Sequence, residues 1–230
     1  MYVWFDALVN YISAIGWPDD MKKFNKWHNK ENGMIQYCGK DNLRQQAAMW
    51  QAMLMSVGLP NSKHIIIDGF ITGEGGVKMS KSLNNVVDPK DIVKEYSTDA
   101  LRYFLLREIS SFEDSPFTME RFKEAYNANL ANGLGNLVSR IMKMAVSYDI
   151  TIGDEVSEFW TPETRVEFLD KYNIKDYCDE IWNFEIQSLD GYIQREKPFS
   201  KIKVNKSEAE KDVQYLLRHL RGIALKLQPI

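Results

Sequence analysis

Lys78-Met79-Ser80-Lys81-Ser82 follows directly on Gly73-Glu74-Gly75-Gly76. Two ammonium groups and two hydroxyls therefore share a loop whose glycines permit backbone conformations closed to other residues. Such groups in a movable loop suit the oxygens of nucleotide phosphates. If a carboxylate attacks the α-phosphate of a nucleotide and pyrophosphate leaves, charge gathers on the phosphate oxygens. Cations that meet this charge in the transition state lower the barrier. Lys78 and Lys81 are the candidates for that task. Ser80 and Ser82 are placed to donate hydrogen bonds or to cap a following helix. The same composition also occurs in ordinary solvated loops, so the loop alone assigns no activity.

The elements around the loop narrow the reading. Trp4 to Ile15 has helical spacing and stops at Gly16-Trp17-Pro18. Met34-Ile35-Gln36-Tyr37-Cys38 reads as a strand closing on Gly39. Asn42 to Val57 reads as a helix ended by Gly58-Leu59-Pro60. His64-Ile65-Ile66-Ile67 is a short β-branched run typical of a buried parallel strand. This alternation predicts a parallel, doubly wound sheet over residues 1–72. Two strands are too few for a complete nucleotide-binding domain, so the segment reads as the second half of one. Residues 73–117 are expected to connect, with the lysine loop and one helix over Thr98–Glu108. Residues 118–230 read as helical: a long helix from Phe117 to Met144, an acidic loop over 151–162, then helices over Lys175–Glu196 and Glu208–Leu227.

The composition sets bounds. The 230 residues carry a formal net charge of -3, and 44% hydrophobic content is enough for a core. A pI near 5.7 argues against a surface coated in nucleic-acid-binding charge while leaving room for a local basic patch. No run approaches the ~20 apolar residues of a membrane span. The first residues have no basic region and no cleavage site, so they do not read as a signal peptide. Cys38 and Cys178 lie far apart and form no C-x-x-C pattern, which points away from a zinc site or disulfide framework and toward a reducing, cytoplasmic compartment.

Lys78–Ser82 followed by Leu83-Asn84-Asn85-Val86-Val87-Asp88-Pro89, and then Tyr96-Ser97-Thr98-Asp99-Ala100-Leu101-Arg102-Tyr103, resembles the lysine-loop region of class I aminoacyl-tRNA synthetases. These residues fit the methionine, isoleucine, valine and leucine enzymes alike. Four further segments select the methionyl-tRNA synthetases. They are Val3-Trp4-Phe5-Asp6-Ala7-Leu8-Val9-Asn10-Tyr11, Gly39-Lys40-Asp41-Asn42, Asn129 to Arg140, and Tyr192-Ile193-Gln194-Arg195-Glu196-Lys197-Pro198. The resemblance runs almost unbroken from residue 2 to about 145 and more weakly to the end.

The resemblance implies an α/β plus all-α chain: the C-terminal half of a Rossmann-like catalytic domain (1–72), a connecting segment (73–117) and a helical-bundle anticodon-binding domain (118–230). It implies ATP binding at Gly39, Asp41, Lys78, Ser80, Lys81 and Ser82, with Mg2+ expected alongside the nucleotide. Trp4, Ala7, Leu8, Tyr11 and Gln46 fall on positions that line a methionine pocket, and a polarizable thioether packs well against aromatic rings. Gln46 departs from the histidine common in the family but still offers hydrogen bonds. Asn136 and Arg140, four apart on one helical face, match the pair that reads a CAU anticodon. Phe199 stands where a tryptophan is common and still presents a π-face to a base. Read without the resemblance, Trp4 and Tyr11 are core aromatics, Asp41 is a helix cap, and Asn136 with Arg140 is a solvated face.

The His-Ile-Gly-His motif and the zinc-bearing insertion of the family do not occur here; His28, His64 and His219 lie in other contexts. The expected chain is therefore a partial enzyme that needs a missing N-terminal half, with methionine, ATP and tRNA(Met) as partners and no membrane. Two alternatives stay open: a catalytically inactive tRNA-binding fragment, or a related synthetase for isoleucine, valine or leucine.

Overall fold

The computed structural model describes residues 3–28, 33–83, 85–153 and 169–230. They form two compact units: residues up to Phe70 with Phe112–Asp114, and Ile71–Ser111 with Ser115–Ile230. Most of the acidic segment read as a loop, from residue 154 on, lies outside the described residues.

The first unit opens with α1 (Val3–Ser13), which buries Leu8 and Ile12. Gly16 at φ 113 turns the chain. Asp20 then caps α2 (Met21–Trp27) by accepting from Lys23 N at 2.9 Å. The sequence reading missed this short helix. Strands β1 (Ile35–Gly39) and β2 (His64–Asp68) pair in parallel, from Ile35 opposite His64 to Gly39 opposite Asp68. A parallel pair requires a crossover. Here it is a 3-10 turn (Lys40–Asn42), a π-type stretch (Gln45–Met49) and α3 (Trp50–Ser56). Leu8, Ile12, Phe24, Trp50 and Leu54 close the core. Each buried side chain of this size contributes roughly 1.5–3 kcal/mol.

The second unit contains a parallel pair of two-residue strands, β3 (Ile71–Thr72) and β4 (Ser115–Pro116). The expected single helix over Thr98–Glu108 needs correction, because two helices stand in this region. Asp88 accepts from Lys90 N at 2.9 Å and Pro89 occupies the first turn, which starts α4 (Pro89–Tyr96). Ser97, at φ 109, breaks the chain and caps α5 (Thr98–Tyr103), which widens into π-type turns to Glu108.

Thr118 caps α6 (Met119–Ala125), so the long helix begins after Phe117. It continues through π-type turns (Tyr126–Gly135) into α7 (Asn136–Ser147). Gly133 and Gly135 let these turns close: a Cβ would meet Ala128 O at 3.1 Å and Leu130 O at 3.0 Å. Then come α8 (Ile174–Glu180), a π-type link (Ile181–Ile186), α9 (Gln187–Glu196), the one-turn α10 (Pro198–Lys201) and α11 (Lys206–Leu227). Phe104, Phe122, Ile141, Ile181, Ile193 and Leu216 are among the buried residues of this unit's core. Among the described residues no helix is long and apolar enough to cross a membrane.

Candidate functional site

In the second unit the lysine loop is built by local chemistry. Gly75 and Gly76 take φ of 66 and 76, which side chains disfavour. Gly73 N donates to Val77 O at 2.7 Å, and Lys78 bridges back to Thr72. Asn85 then clasps the loop: its Oδ1 accepts from Ser80 N at 2.8 Å and its Nδ2 donates to Lys78 O at 3.3 Å. The Ser80 and Ser82 hydroxyls lie 3.1 Å apart, and Ser80 Oγ also accepts from Leu83 N at 3.3 Å. Ser80 thus caps the 3-10 turn Lys81–Leu83. Met79 anchors the loop against the core while the Lys78 side chain is exposed. The Lys81 side chain and Asn84 lie outside what is described.

In the first unit Gly39 ends β1 and leads into Lys40-Asp41-Asn42. A Cβ at Gly39 would stand 3.0 Å from Asp41 Oδ1, so glycine keeps that carboxylate close to the backbone. No side chain caps this turn. Trp4, Ala7 and Tyr11 lie exposed along α1, whereas Leu8 turns into the core at 1% exposure. The structure brings two of the sequence candidates together. Gln46 Nε2 donates to Tyr11 Oη at 2.9 Å, and the Tyr11 ring meets Trp50 edge-on at 5.6 Å. Gln46 is itself buried, and its Oε1 has no partner among the described residues. Gln51, bonded to Gln46 O and Ser62 Oγ, locks the helix to the approach of β2.

Two acids beside the carboxyl ends of β1 and β2, Asp68 and Asp114, escaped the sequence reading. Asp68 closes β2 in register with Gly39. Burial raises its carboxyl above the ordinary range, and burial together with Asp68 pushes the Tyr37 phenol up to about 12. Lys40 pairs with Asp114 at 2.5 Å and lies 4.6 Å from the Phe70 ring centroid. That hydrogen bond, with the one from Phe70 N, holds the Asp114 carboxyl below its usual value. The available signal was positional, since ligands in open α/β sheets bind beyond the carboxyl ends of strands.

On the helical elements Asn136 is exposed at the start of α7, whose opposite face buries Leu137 and Ile141. Arg140, one turn on, donates to Asp190 of α9. Phe199 is 47% exposed on α10, directly after the buried Pro198. Asp190 is a further residue that spacing did not reveal.

A family model described as "tRNA synthetases class I (M)" matches residues 1–142, spanning the lysine loop, the Gly39 turn and the Asn136/Arg140 pair. The chain belongs to this family. Among its relatives, the methionine--tRNA ligase of Thermotoga maritima is 39% identical over 86% of this chain and 33% of that protein. That of Rickettsia prowazekii is 36% identical over the whole chain and 47% of its own length. A Mycobacterium tuberculosis methionyl-tRNA synthetase in complex with methionyl-adenylate superposes with a TM-score of 0.84 at 29% identity, covering all of this chain and 48% of that one. The chain therefore spans less than half the length of these relatives. The fold expected from sequence, part of a Rossmann-like domain plus a helical region, agrees with this likeness.

Proposed function

We propose that the chain is the part of a methionyl-tRNA synthetase that supplies the lysine loop, one side of the methionine pocket and the anticodon reader. The observation that carries this reading is the family match across 1–142, which takes in the Asn85-clasped loop. In the proposed reaction a methionine carboxylate oxygen attacks the α-phosphorus of ATP. The bond to the β-phosphate bridging oxygen breaks, and pyrophosphate leaves with that electron pair. A hydroxyl of the terminal ribose of tRNA(Met) then attacks the methionyl carbonyl carbon. The bond from that carbon to the adenylate phosphate oxygen breaks, and AMP leaves with the electron pair while the hydroxyl proton passes to the departing phosphate.

Lys78 and Lys81 stabilise the phosphate charge, and the Ser80 and Ser82 hydroxyls donate to phosphate oxygens. Gly39 lets backbone approach the nucleotide, and Asp41 accepts hydrogen bonds beside it. Trp4, Ala7, Leu8, Tyr11 and Gln46 form the methionine side, where the Gln46–Tyr11 bond fixes the tyrosine hydroxyl. Among the described residues no group of three His, Cys, Asp or Glu side chains is placed to hold a metal. The Mg2+ expected with ATP would be held by nucleotide phosphates and water together with one or two protein oxygens.

The domain division proposed is 1–72, 73–117 and 118–230, with Asn136, Arg140 and Phe199 reading the anticodon in the cytoplasm. The test is amino-acid-dependent ATP–pyrophosphate exchange by the intact protein that contains these residues. Methionine alone should drive exchange; exchange driven by isoleucine, valine or leucine would assign a sister enzyme.

A further inference from the structure

Phe199 sits on a helix of four residues, far too short to hold its own shape. Lys197, in a left-handed conformation at φ 48, ends α9 and begins this turn. Something outside the turn must hold the backbone that carries the phenyl ring. The only side chain of the turn drawn into an ion-pair network among the described residues is Lys201, at the turn's far end. Its ammonium lies 2.7 Å from Asp212, 3.1 Å from Glu196 and 3.8 Å from Glu208. The three acids differ in depth. Asp212 on α11 is buried at 7% exposure, whereas the Glu196 and Glu208 side chains are 31% and 57% exposed. The remaining oxygen of Asp212 accepts from the Tyr192 hydroxyl of α9 at 2.8 Å. The Tyr192 ring stacks on Tyr215 of α11 at 4.5 Å.

We propose that Asp212 is a positioning residue that, through Lys201 and Tyr192, aims Phe199 at an unpaired base. This rests on the anticodon reading given above. One carboxylate joins the helix before the turn, the turn itself and the helix after it. It pulls Lys201 inward, against Glu196 and Glu208, which would draw the ammonium toward solvent. With the turn pinned at Lys201 and seated by buried Pro198, the backbone that carries the exposed Phe199 ring is held in place before a base stacks on it. A pre-ordered platform binds more tightly than one ordered by its ligand.

The test is a double-mutant cycle on the full chain, read as the Kd for an RNA hairpin with a CAU loop, with thermal melts to confirm folding. Phe199→Ala should weaken binding by about tenfold or more, the usual scale of one base–aromatic stack. Asp212→Asn keeps shape and removes charge. It should weaken binding about fivefold when Phe199 is present and less than about twofold in the Phe199→Ala background, because coupled residues are not additive. If Asp212→Asn prevents folding, Tyr192→Phe, which removes one hydroxyl, should show the same background dependence at smaller size. Equal losses in both backgrounds would overturn the proposal, since Asp212 would then serve the fold in general. A harmless Phe199→Ala would overturn it too. Arg140→Ala judges the anticodon reading separately: lost CAU binding there keeps that reading alive, and unchanged binding sinks it.

Discussion

The side-chain amide of Gln46 donates to the hydroxyl of Tyr11 at 2.9 Å, tying the helix after β1 to α1. Gln46 is 3% exposed and Tyr11 is 40% exposed, so the bond runs from the interior to the surface of the first unit. Tyr11→Phe would leave a buried amide donor without its partner. The expected cost is about 1–3 kcal/mol, read as a lower urea midpoint. Adding Gln46→Leu should recover part of that loss, because an apolar pair leaves no polar group stranded.

Arg107 is a buried cation of the second unit. It reaches Asp179 at 3.2 Å, Glu108 at 3.1 Å and the Tyr103 hydroxyl at 2.6 Å, with a side chain only 10% exposed. Arg107→Met would remove these contacts while leaving Asp179 to Lys175 and Glu108 to the Tyr103 hydroxyl. We expect a loss of about 1–3 kcal/mol in denaturant unfolding, the range for hydrogen bonds to a charged group. A loss below about 1 kcal/mol, the scale of surface pairs, would show that solvent reaches the site.

Cys178 gives a pH signature. Burial pushes its thiol from 9.0 up to about 12, with Asp179 adding to the shift. Below pH 9 the thiol is neutral in both folded and unfolded chains and affects nothing. Between 9 and about 12 only the unfolded chain ionises, so stability falls as pH rises. Cys178→Ala should flatten the decline of melting temperature across that window. In the native chain at pH 8, a thiol reagent should modify half-buried Cys38 well before Cys178.

Lys81→Ala in the intact protein should lower the rate of methionine activation by about 10²–10³ while changing methionine affinity little, as expected of a group used in the transition state. Rapid-quench rates alongside equilibrium methionine binding separate the two. Equal losses in rate and affinity would make Lys81 a ground-state binder.

What could be read in the sequence was local. Gly75 and Gly76 ahead of the Lys78–Ser82 run announce a tight polar loop because a positive φ and a short polar run need no distant partner. The β1–β2 crossover was legible from His64–Ile67 and Gly39 for the same reason. The helix Pro89–Tyr96 was signalled by Asp88-Pro89 but was lost behind the break at Ser97, whose φ of 109 no pattern announces. Strands of two residues, Ile71–Thr72 and Ser115–Pro116, carry no periodicity to detect. Arg140 with Asp190, Lys201 with Asp212 and Gln46 with Tyr11 join residues 50, 11 and 35 positions apart. The tertiary fold chooses those pairs, and spacing along the chain does not announce them.

The most direct measurement is filter binding of this chain to tRNA with a CAU anticodon and to the same tRNA with the anticodon changed, at a fixed near-physiological salt concentration. Anticodon reading requires clearly tighter binding of the CAU form, about 1–3 kcal/mol or roughly tenfold per altered contact, and its loss in Arg140→Ala. Equal, weak binding of both forms that falls steeply with salt would be backbone attraction alone and would contradict the anticodon reading.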